Sequence, residues 1–179
     1  MSTGEEQVVL LDADLQPCGV LAKSEVHHEN TPLHLAFSVY VFDADGRLLV
    51  TRRAVGKQTF PGVWTNTCCG HPAPDEELAV AVRRRLDTEL GLAVSELALV
   101  LPDFRYEAVA ADGVRENEFC PVYVARAAGD PTPDPAEVAE WRWVDWAAFC
   151  EVAESAPWAV SPWSAEQAPQ LRAELDAKP

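Results

Sequence analysis

The stretch GHPAPDEELAVAVRRRLDTELGL, residues 70–92, contains the clearest periodic pattern of the chain. Four apolar side chains recur in it at intervals of four residues: Leu78, Val82, Leu86 and Leu90. This interval predicts a helix over residues 76–90 that buries one apolar stripe. Asp75 is the predicted N-cap of this helix, and Gly91 suits the conformation that often ends one.

Runs of residues typical of β-strands lie on both sides of this helix. One Asp-Gly pair at 45–46 and another at 112–113 each separate two such runs, which predicts two hairpins. Two shorter runs, at 8–12 and 19–23, flank a turn.

The chain after the second hairpin is predicted to form a short strand in a tryptophan-rich stretch, then two helices. The first of these helices starts at Trp146, and the last covers residues 164–177. The proline-rich stretch at 129–135 indicates a surface loop rather than a domain boundary. Strands, one central helix, more strands and closing helices predict an α/β or α+β sandwich. A single domain over residues 1–179 is expected.

Composition disfavours several classes of protein. The formal net charge of −15 disfavours nucleic acid and anionic membranes as partners. No apolar run reaches the roughly 18 residues of a membrane span, and the acidic start of the chain argues against a secretory signal. Five cysteines without a disulfide-scaffold spacing indicate reduced thiols and a cytoplasmic location. The net negative charge disfavours tight self-association, because copies of the chain repel one another. A monomer is therefore one expectation, and the oligomeric state stays open.

The basic residues are distributed unevenly along the chain. Eight of the fourteen lie between residues 23 and 85, whereas the chain after residue 126 has ten acidic and three basic residues. An acidic protein that gathers its cations in one half could hold a small anion there. The other interpretation of the same pattern is a solvated basic surface.

The stretch that predicts the helix also resembles the Nudix box, a spaced series of glycine, glutamate, arginine and further glutamates. Seven positions match: Gly70, Glu76, Arg84, Leu86, Glu89, Gly91 and Leu92. Arg85 and Thr88 stand where the box has two of its glutamates. Nudix hydrolases hold several Mg²⁺ ions on a diphosphate with carboxylates on one helix face. Here Glu89 remains, which is enough for one Mg²⁺ beside substrate phosphates.

Other polar residues could also form a site. The stretch TNTCCGHP, residues 65–72, places a thiol and an imidazole two residues apart, which metal ligation, nucleophilic catalysis or acid–base chemistry could use. Glu116 and Glu118 share one face of a predicted strand, where they either surround a cation or face solvent. Three imidazoles with two carboxylates suit Mn²⁺ or Zn²⁺. His27 and His28 are adjacent, so only one of them can point inward from an extended segment.

Five stretches together resemble the type I isopentenyl-diphosphate isomerases, a branch of the Nudix fold: LHLAFSVYVFDADGRLLVTRRA, PGVWTNTCCGHP, PDFRYEA, ENEFCPV and SPWS. The resemblance covers about residues 7–165. It implies a Nudix-like α/β/α sandwich with a mixed central sheet. It also implies an enzyme that converts isopentenyl diphosphate to dimethylallyl diphosphate by a 1,3-proton shift through a carbocation-like intermediate. The expected partner is therefore a small prenyl diphosphate.

The resemblance also assigns roles to individual residues. Cys69 and Glu118 would be the opposed acid–base groups, with Tyr106 hydrogen-bonded within the pair and Trp163 facing the cation. The first metal, Mn²⁺ or Zn²⁺, would be bound by His27, His34, His71, Glu116 and Glu118. The second metal, Mg²⁺, would join Glu89 and the Cys69 backbone carbonyl to the diphosphate. The cations that hold the diphosphate would be Lys23, Arg53, Lys57 and Arg85.

Four neighbouring residues receive lesser roles. Gly70 would let the backbone pass close to the metal. Cys68 would face the other way into the packing, and Arg52 would face solvent because it alternates with Arg53 on a strand. Trp64 would line the cavity with Trp163.

Three alternative functions compete with this one. A Nudix pyrophosphohydrolase of a nucleotide or prenyl diphosphate is the main one, and it would need the glutamates that Arg85 and Thr88 replace. A metal-stabilised binding module predicts that Cys69→Ala and Glu118→Gln change only metal affinity. A cysteine hydrolase would need a thiolate–imidazole pair, which Cys69 and His71 form poorly when they lie two apart on one strand.

Overall fold

A computed structural model describes residues 6–177 of the chain; the remaining residues of the predicted domain, 1–5 and 178–179, lie outside the described residues. The strands are β1 (Gln7–Leu11), β2 (Pro17–Ala22), β3 (His34–Leu35), β4 (Phe37–Phe42), β5 (Leu48–Arg53), β6 (Trp64–Thr65), β7 (Cys68–Gly70), β8 (Val94–Leu101), β9 (Arg105–Val109), β10 (Arg115–Phe119), β11 (Val122–Ala127) and β12 (Val138–Val144). The helices are α1 (Lys23–Val26), α2 (Leu78–Leu90), α3 (Trp146–Ser155) and α4 (Pro162–Asp176), with a 3-10 turn at Pro157–Ala159. Within this part of the chain, no helix combines the length and the apolarity of a membrane span.

The strands form two sheets, each with one parallel pair. The smaller sheet has the order β2-β1-β3-β10-β9, and the larger has β12-β5-β4-β11-β8, with β6 on β5 and β7 on β4. The parallel pairs are β3 with β10 and β4 with β11. The predicted mixed α/β class is confirmed, and its strands divide between two sheets instead of gathering in one. The predicted pairings β1–β2, β4–β5 and β9–β10 are all present.

Two segments of the chain cross from the smaller sheet to the larger one side by side. The first passes from β3 to β4 at Ala36, and the second passes from β10 to β11 at Cys120–Pro121. The backbone N–H of Ala36 donates to the Phe119 carbonyl at 2.9 Å, which ties the two crossings together. In the sequence, each of these segments is one continuous β-rich run. The crossing places Glu118 directly opposite His34 in the register.

Helix α2 packs its apolar stripe on the larger sheet. Val82, Leu86 and Leu90 are fully buried in one cluster with Phe37 and Val39 of β4. Burial of each of these side chains stabilises the fold by about 1.5–3 kcal/mol relative to its exposure. The predicted stripe is therefore confirmed, and it anchors the helix beside β4 and β7.

The prediction for α2 is wrong at its N-terminus and correct at its C-terminus. The helix begins at Leu78 with Glu77 as its N-cap, so the prediction of Asp75 is wrong. Asp75 instead has a φ of 62°, which places it in a left-handed turn before the helix. Gly91 ends the helix with a φ of 53°, and its N–H donates to the Asp87 carbonyl at 2.8 Å, as predicted.

Two buried side chains leave no space for a Cβ at Gly70. A Cβ at this position would lie 2.9 Å from Cγ of Arg85 and 2.9 Å from Cζ of Phe37. We expect Gly70→Ala to lower the free energy of unfolding by about 1–3 kcal/mol, because both neighbours are buried and must shift. Urea denaturation followed by circular dichroism measures the change.

Gly56→Ala is the matched control for Gly70→Ala, since a Cβ there would meet no atom within 4 Å. Its free energy of unfolding is expected to stay within about 1 kcal/mol of the wild type. Equal stability of Gly70→Ala and the wild type would show that Arg85 and Phe37 do not limit the space.

Candidate active site

A cavity of about 260 Å³ is lined by residues of both sheets, α2 and α4. Eleven of the thirteen predicted site residues line it. The other two, His34 and Glu89, are buried next to lining residues and contact them. Residues from sequence positions 23 to 163 thus meet in one place.

Three imidazoles and one carboxylate converge on one side of this cavity. The ligand atoms of His27, His34, His71 and Glu118 all lie within 4.8 Å of one another. The centroids of the three imidazole rings are 5.1 to 5.6 Å apart. His28 points away from the cluster, because its exposed ring accepts a hydrogen bond from the Asn30 N–H at 3.1 Å through Nδ1. The choice of His27 as the inward-pointing member of the pair agrees with this geometry.

Buried atoms without hydrogen-bond partners test whether this cluster fits a metal. His27 Nε2 lies 3.1 Å from Glu116 Oε2, and His34 Nε2 lies 3.3 Å from Glu118 Oε1. Neither imidazole nitrogen has a hydrogen bond of acceptable geometry. The Nδ1–H of His34 donates to the Pro32 carbonyl at 2.9 Å, which leaves the lone pair of Nε2 directed at the cluster. Such an arrangement suits an ion between the side chains, and imidazole with carboxylate suits Mn²⁺ or Zn²⁺.

The protonation states of His71 and Glu118 also favour a metal site. Burial lowers the pKa of His71 to about 4, so its ring is neutral at physiological pH, as a metal ligand must be. Burial by itself raises the pKa of Glu118, but contacts with His34 and His71 outweigh burial and hold its pKa well below the usual value. Glu118 is therefore an anion beside the neutral ring of His71. Burial by itself lowers the pKa of His34, but the contact with Glu118 outweighs burial and raises that pKa above its usual value.

Glu116 and Glu118 both face inward from β10. They are 4% and 5% exposed, so the alternative that they face solvent is wrong. Glu116 contacts His27 and is not among the four residues whose ligand atoms are mutually close. The inward face of β10 thus contributes one central and one peripheral carboxylate.

Cys69 lies on the cavity side of β7, opposite Ser38 of β4. Its Sγ lies 3.3 Å from Ser38 Oγ and 3.3 Å from Asn66 Oδ1. Burial raises the pKa of Cys69 to about 11, so it carries its proton at neutral pH. The neighbouring Cys68 faces the opposite side, in the core beneath α2, as predicted.

Two aromatic side chains complete the wall of the cavity. The Tyr106 hydroxyl donates to Glu118 Oε2 at 2.8 Å. The Trp163 ring lies 5.7 Å from the Tyr106 ring, centroid to centroid, and Arg53 Cζ lies 5.5 Å from the Trp163 centroid. Trp64 lies along a separate apolar groove with Val144, so the prediction that it lines the cavity is wrong.

Four cations line the other side of the cavity: Lys23, Arg53, Lys57 and Arg85. Glu6 lies 2.5 Å from Lys23 Nζ and 2.9 Å from Arg85 Nη1, and Glu137 forms an ion pair with Lys57. Arg85 is only 4% exposed. These cations surround a cavity instead of covering a solvated surface, which favours the anion site over the alternative.

Arg52 behaves as expected from its place on β5. Its guanidinium donates to Glu140 Oε1 at 2.7 Å, its side chain is 40% exposed, and it does not line the cavity. Alternation along the strand therefore separates the functions of Arg52 and Arg53.

Glu89 lies behind Arg85 rather than in the wall of the cavity. One of its carboxylate oxygens pairs with the Arg85 guanidinium, and the other lies 3.5 Å from Cys68 Sγ. The same sulfur lies 3.6 Å from the Cys69 carbonyl oxygen. The two oxygens predicted to bind Mg²⁺ thus flank one thiol, and their chemistry suits that ion. Mg²⁺ at Glu89 stays a prediction.

The other positions of the box have structural contacts. Arg84 forms a bidentate ion pair with Glu76 at 2.7 and 2.8 Å and also donates to the His71 carbonyl at 3.2 Å. This contact ties the segment after β7 to α2. Thr88 is exposed, and its hydroxyl donates to the Arg84 carbonyl at 2.8 Å. Among the described residues of α2, Glu89 is the one buried carboxylate.

Four polar residues that contact this site were not predicted from the sequence: Ser38, Asn66, Glu137 and Gln167. Asn66 is fully buried, and its Oδ1 accepts from Trp163 Nε1 at 3.0 Å. Its position in TNTCCGHP was the available signal, because an asparagine between strands usually forms local hydrogen bonds. For the other three the sequence contained no signal, since their partners lie far away along the chain.

Comparison with known proteins identifies the family of the chain and supports its fold. The NUDIX domain family matches residues 32–170. Proteins named isopentenyl-diphosphate Delta-isomerase are similar over most of the chain. The protein from Frankia alni is 65% identical, with 91% of this chain and 84% of that protein covered. The protein from Mycolicibacterium vanbaalenii is 60% identical, with 94% and 92% covered. The protein from Leifsonia xyli is 54% identical, with 100% and 98% covered.

Solved structures show a similar fold at low sequence identity. DR0079 from Deinococcus radiodurans matches with a TM-score of 0.69 and 18% identity, with 94% of this chain and 99% of that one covered. A MutT protein from Methanosarcina mazei matches with a TM-score of 0.63 and 17% identity, with 82% and 97% covered. These likenesses confirm the Nudix-like fold.

Proposed function

Because the chain belongs to the NUDIX domain family and, within it, to the isopentenyl-diphosphate Delta-isomerases, we propose that Cys69 and Glu118 are its two acid–base groups. One adds a proton to the terminal alkene carbon of isopentenyl diphosphate. The other removes a proton from the carbon next to the one that bears the diphosphate, which yields dimethylallyl diphosphate. One observation carries this proposal: a single cavity of about 260 Å³ is lined at once by Cys69, Glu118 and four cations.

The protonation states of the two groups support this pairing. Cys69 holds a proton because burial raises the pKa of its thiol to about 11. Glu118 is ionised because His34 and His71 keep its pKa low despite burial. A pair in which one member has a proton and the other lacks one can serve both ends of a 1,3-proton shift. Tyr106 directs the Glu118 carboxylate by donating to Oε2 at 2.8 Å.

Trp163 is proposed to face the positive charge that develops when the alkene is protonated. Its ring is held in place by the hydrogen bond from Nε1 to Asn66 Oδ1 at 3.0 Å. The ring already has a cation, Arg53, 5.5 Å from its centroid. A desolvated cation over an indole ring is stabilised by about 2 kcal/mol.

The four cations are proposed to bind the diphosphate. Lys23 and Lys57 are now paired with Glu6 and Glu137, so a diphosphate would replace these carboxylates as their partner. Arg85 offers a planar fork that matches phosphate oxygens, and it stands where Nudix hydrolases have a catalytic glutamate. This substitution converts a position that would bind metal into one that binds the substrate.

Two metal sites complete the proposal. His27, His34, His71, Glu116 and Glu118 would hold Mn²⁺ or Zn²⁺, and Glu89 with the Cys69 carbonyl would hold Mg²⁺. When bound, these ions supply positive charge that favours the ionised Glu118 and neutralises the diphosphate. The contribution of the chain is to gather the three imidazoles and Glu118 at one point and to keep His71 neutral.

The pyrophosphohydrolase alternative finds less support in the same helix. Arg85 and Thr88 replace two glutamates of the box, and the Thr88 side chain is exposed and bonded to its own helix. One buried carboxylate cannot form the cluster of several metal ions that hydrolysis in this family uses.

We expect the purified protein, supplied with Mg²⁺ and Mn²⁺ in D₂O, to convert isopentenyl diphosphate to dimethylallyl diphosphate without releasing phosphate. Deuterium should enter both isomers, because each proton transfer exchanges with solvent through an acid–base group. Proton NMR detects the isomers and the deuterium, and a colorimetric assay detects phosphate. Phosphate release without isomerisation would favour the hydrolase, and isomerisation without deuterium would contradict the proposed acid–base pair.

A further inference from the structure

Ser38 is a buried hydroxyl beside Cys69 that the proposed reaction does not yet use. It lies on β4 directly opposite Cys69 and is fully buried. Its Oγ lies 3.3 Å from Cys69 Sγ and also contacts Gln167 of α4. A hydroxyl has one proton to donate, so the role of Ser38 depends on which neighbours donate to it and which accept from it.

Gln167 determines the direction of that proton. Its Oε1 accepts from the Tyr40 hydroxyl at 3.0 Å, which turns the amide nitrogen toward Ser38. That nitrogen, Nε2, lies 3.0 Å from Ser38 Oγ. An amide nitrogen only donates, so Ser38 Oγ must accept there and direct its own proton elsewhere. Tyr40, Ser38 and Gln167 are all fully buried, which protects this chain of donors from bulk water.

Two sulfurs remain as acceptors for the Ser38 proton. Cys69 Sγ and Cys120 Sγ each lie 3.3 Å from Ser38 Oγ. Cys120 is fully buried and does not line the cavity, whereas Cys69 does. The Ser38 hydroxyl therefore lies between a sulfur of the core and the sulfur of the proposed acid–base group.

The other polar neighbour of Cys69, the Oδ1 atom of Asn66, already accepts hydrogen bonds from other residues. Asn66 Oδ1 lies 3.3 Å from Cys69 Sγ, but it also accepts from Trp163 Nε1 at 3.0 Å and from the Thr65 hydroxyl at 2.8 Å. A carbonyl oxygen has two lone pairs, so it has little capacity left for a weak thiol donor. The Cys69 proton is thus free to turn toward the cavity.

We infer that Ser38 is a positioning residue for the isomerisation: directed by Gln167, its hydroxyl donates to the Cys69 sulfur and turns the thiol proton toward the alkene. This inference rests on the proposed role of Cys69 as an acid–base group. This donor needs no rearrangement during the reaction, because Gln167 and Tyr40 hold it in place.

Ser38→Ala tests this inference in the full-length protein with Mg²⁺ and Mn²⁺ present. We expect kcat for isomerisation to fall about 10- to 100-fold, the usual effect of a lost hydrogen bond to a group that carries charge in the reaction. KM for isopentenyl diphosphate should change less than about twofold, because the cations that bind the diphosphate lie elsewhere in the cavity. Cys120→Ala is the matched control: it removes the competing acceptor, and kcat should stay at or above the wild-type value.

Two results for Ser38→Ala would overturn the inference. One is a kcat within about twofold of the wild type. The other is a loss of kcat accompanied by an equal rise in KM and a lower melting temperature, which indicates a general structural role. If Ser38→Ala does not fold, Gln167→Met keeps the side-chain length and removes the donor that directs Ser38. An unchanged kcat in that variant would also overturn the inference. A wild-type protein without isomerase activity would contradict the proposed function instead.

Discussion

Cys69→Ala is expected to lower kcat for isomerisation by about 10⁴-fold, the upper end of what one acid–base group contributes. The alanine retains the Cβ and removes the sulfur that lines the cavity. Among the described residues, Cys69 is the one cysteine in the lining of the cavity, so no other thiol can replace it. Binding of isopentenyl diphosphate should be nearly unchanged, because Lys23, Lys57 and Arg85 remain in place.

Isothermal titration calorimetry measures the binding, and NMR of the two isomers measures kcat. Cys18→Ser is the matched control, since Cys18 is an exposed cysteine on β2, outside the cavity lining. Its kcat should equal that of the wild type. A Cys69→Ala variant that retains more than a tenth of the wild-type kcat would contradict the proposed role of Cys69. That result would favour the alternative function, a metal-stabilised binding module.

Glu118→Gln is expected to have an effect of similar size, about 10⁴-fold on kcat, and to release a metal ion as well. Glu118 contacts His34, His71 and Tyr106 at the same time. The amide has nearly the same shape as the carboxylate but lacks its charge, so it can neither take the proton nor neutralise a divalent cation. Metal content measured by mass spectrometry should fall by about one Mn²⁺ or Zn²⁺ per chain, since carboxylate ligands suit these ions better than amides do.

Glu107→Gln is the control for this variant. Glu107 lies on the neighbouring strand β9, pairs with Arg115 and is exposed. An exposed ion pair contributes little, so both kcat and metal content should match the wild type. Full metal content in Glu118→Gln would contradict its proposed place among the ligands, whereas full activity would contradict its acid–base role.

Local patterns account for the elements that sequence analysis predicted correctly. The four-residue interval in α2 and the glycine at its end reflect helix geometry, which depends only on neighbours within one turn. The hairpins at Gly46 and Gly113 follow from the positive φ that such turns require, 78° and 89° here. The predicted N-cap of α2 was wrong because Asp75 has the left-handed backbone of the preceding turn. No local pattern around Asp75 predicts that backbone conformation.

Local sequence patterns could not predict that the strands divide between two sheets. Residues 34–42 form one β-rich run in the sequence, and the switch of sheet at Ala36 involves a hydrogen bond to Phe119, more than eighty residues later. Alternation still predicted which residues share a face, because the side-chain period of a strand holds on either side of the switch. Glu116 and Glu118 therefore lie on one face, as expected.

Local patterns in the sequence predicted the helix, the turns and the faces of the strands, and its resemblance to a known family predicted the residues of the candidate site. Which side chains touch follows from the packing of the elements: Glu89 pairs with Arg85, Trp64 lies outside the cavity, and Ser38 contacts Gln167 across 129 residues of sequence. Local patterns cannot predict such contacts, because contacts between distant segments depend on how the sheets and helices pack, and packing is a property of the whole chain.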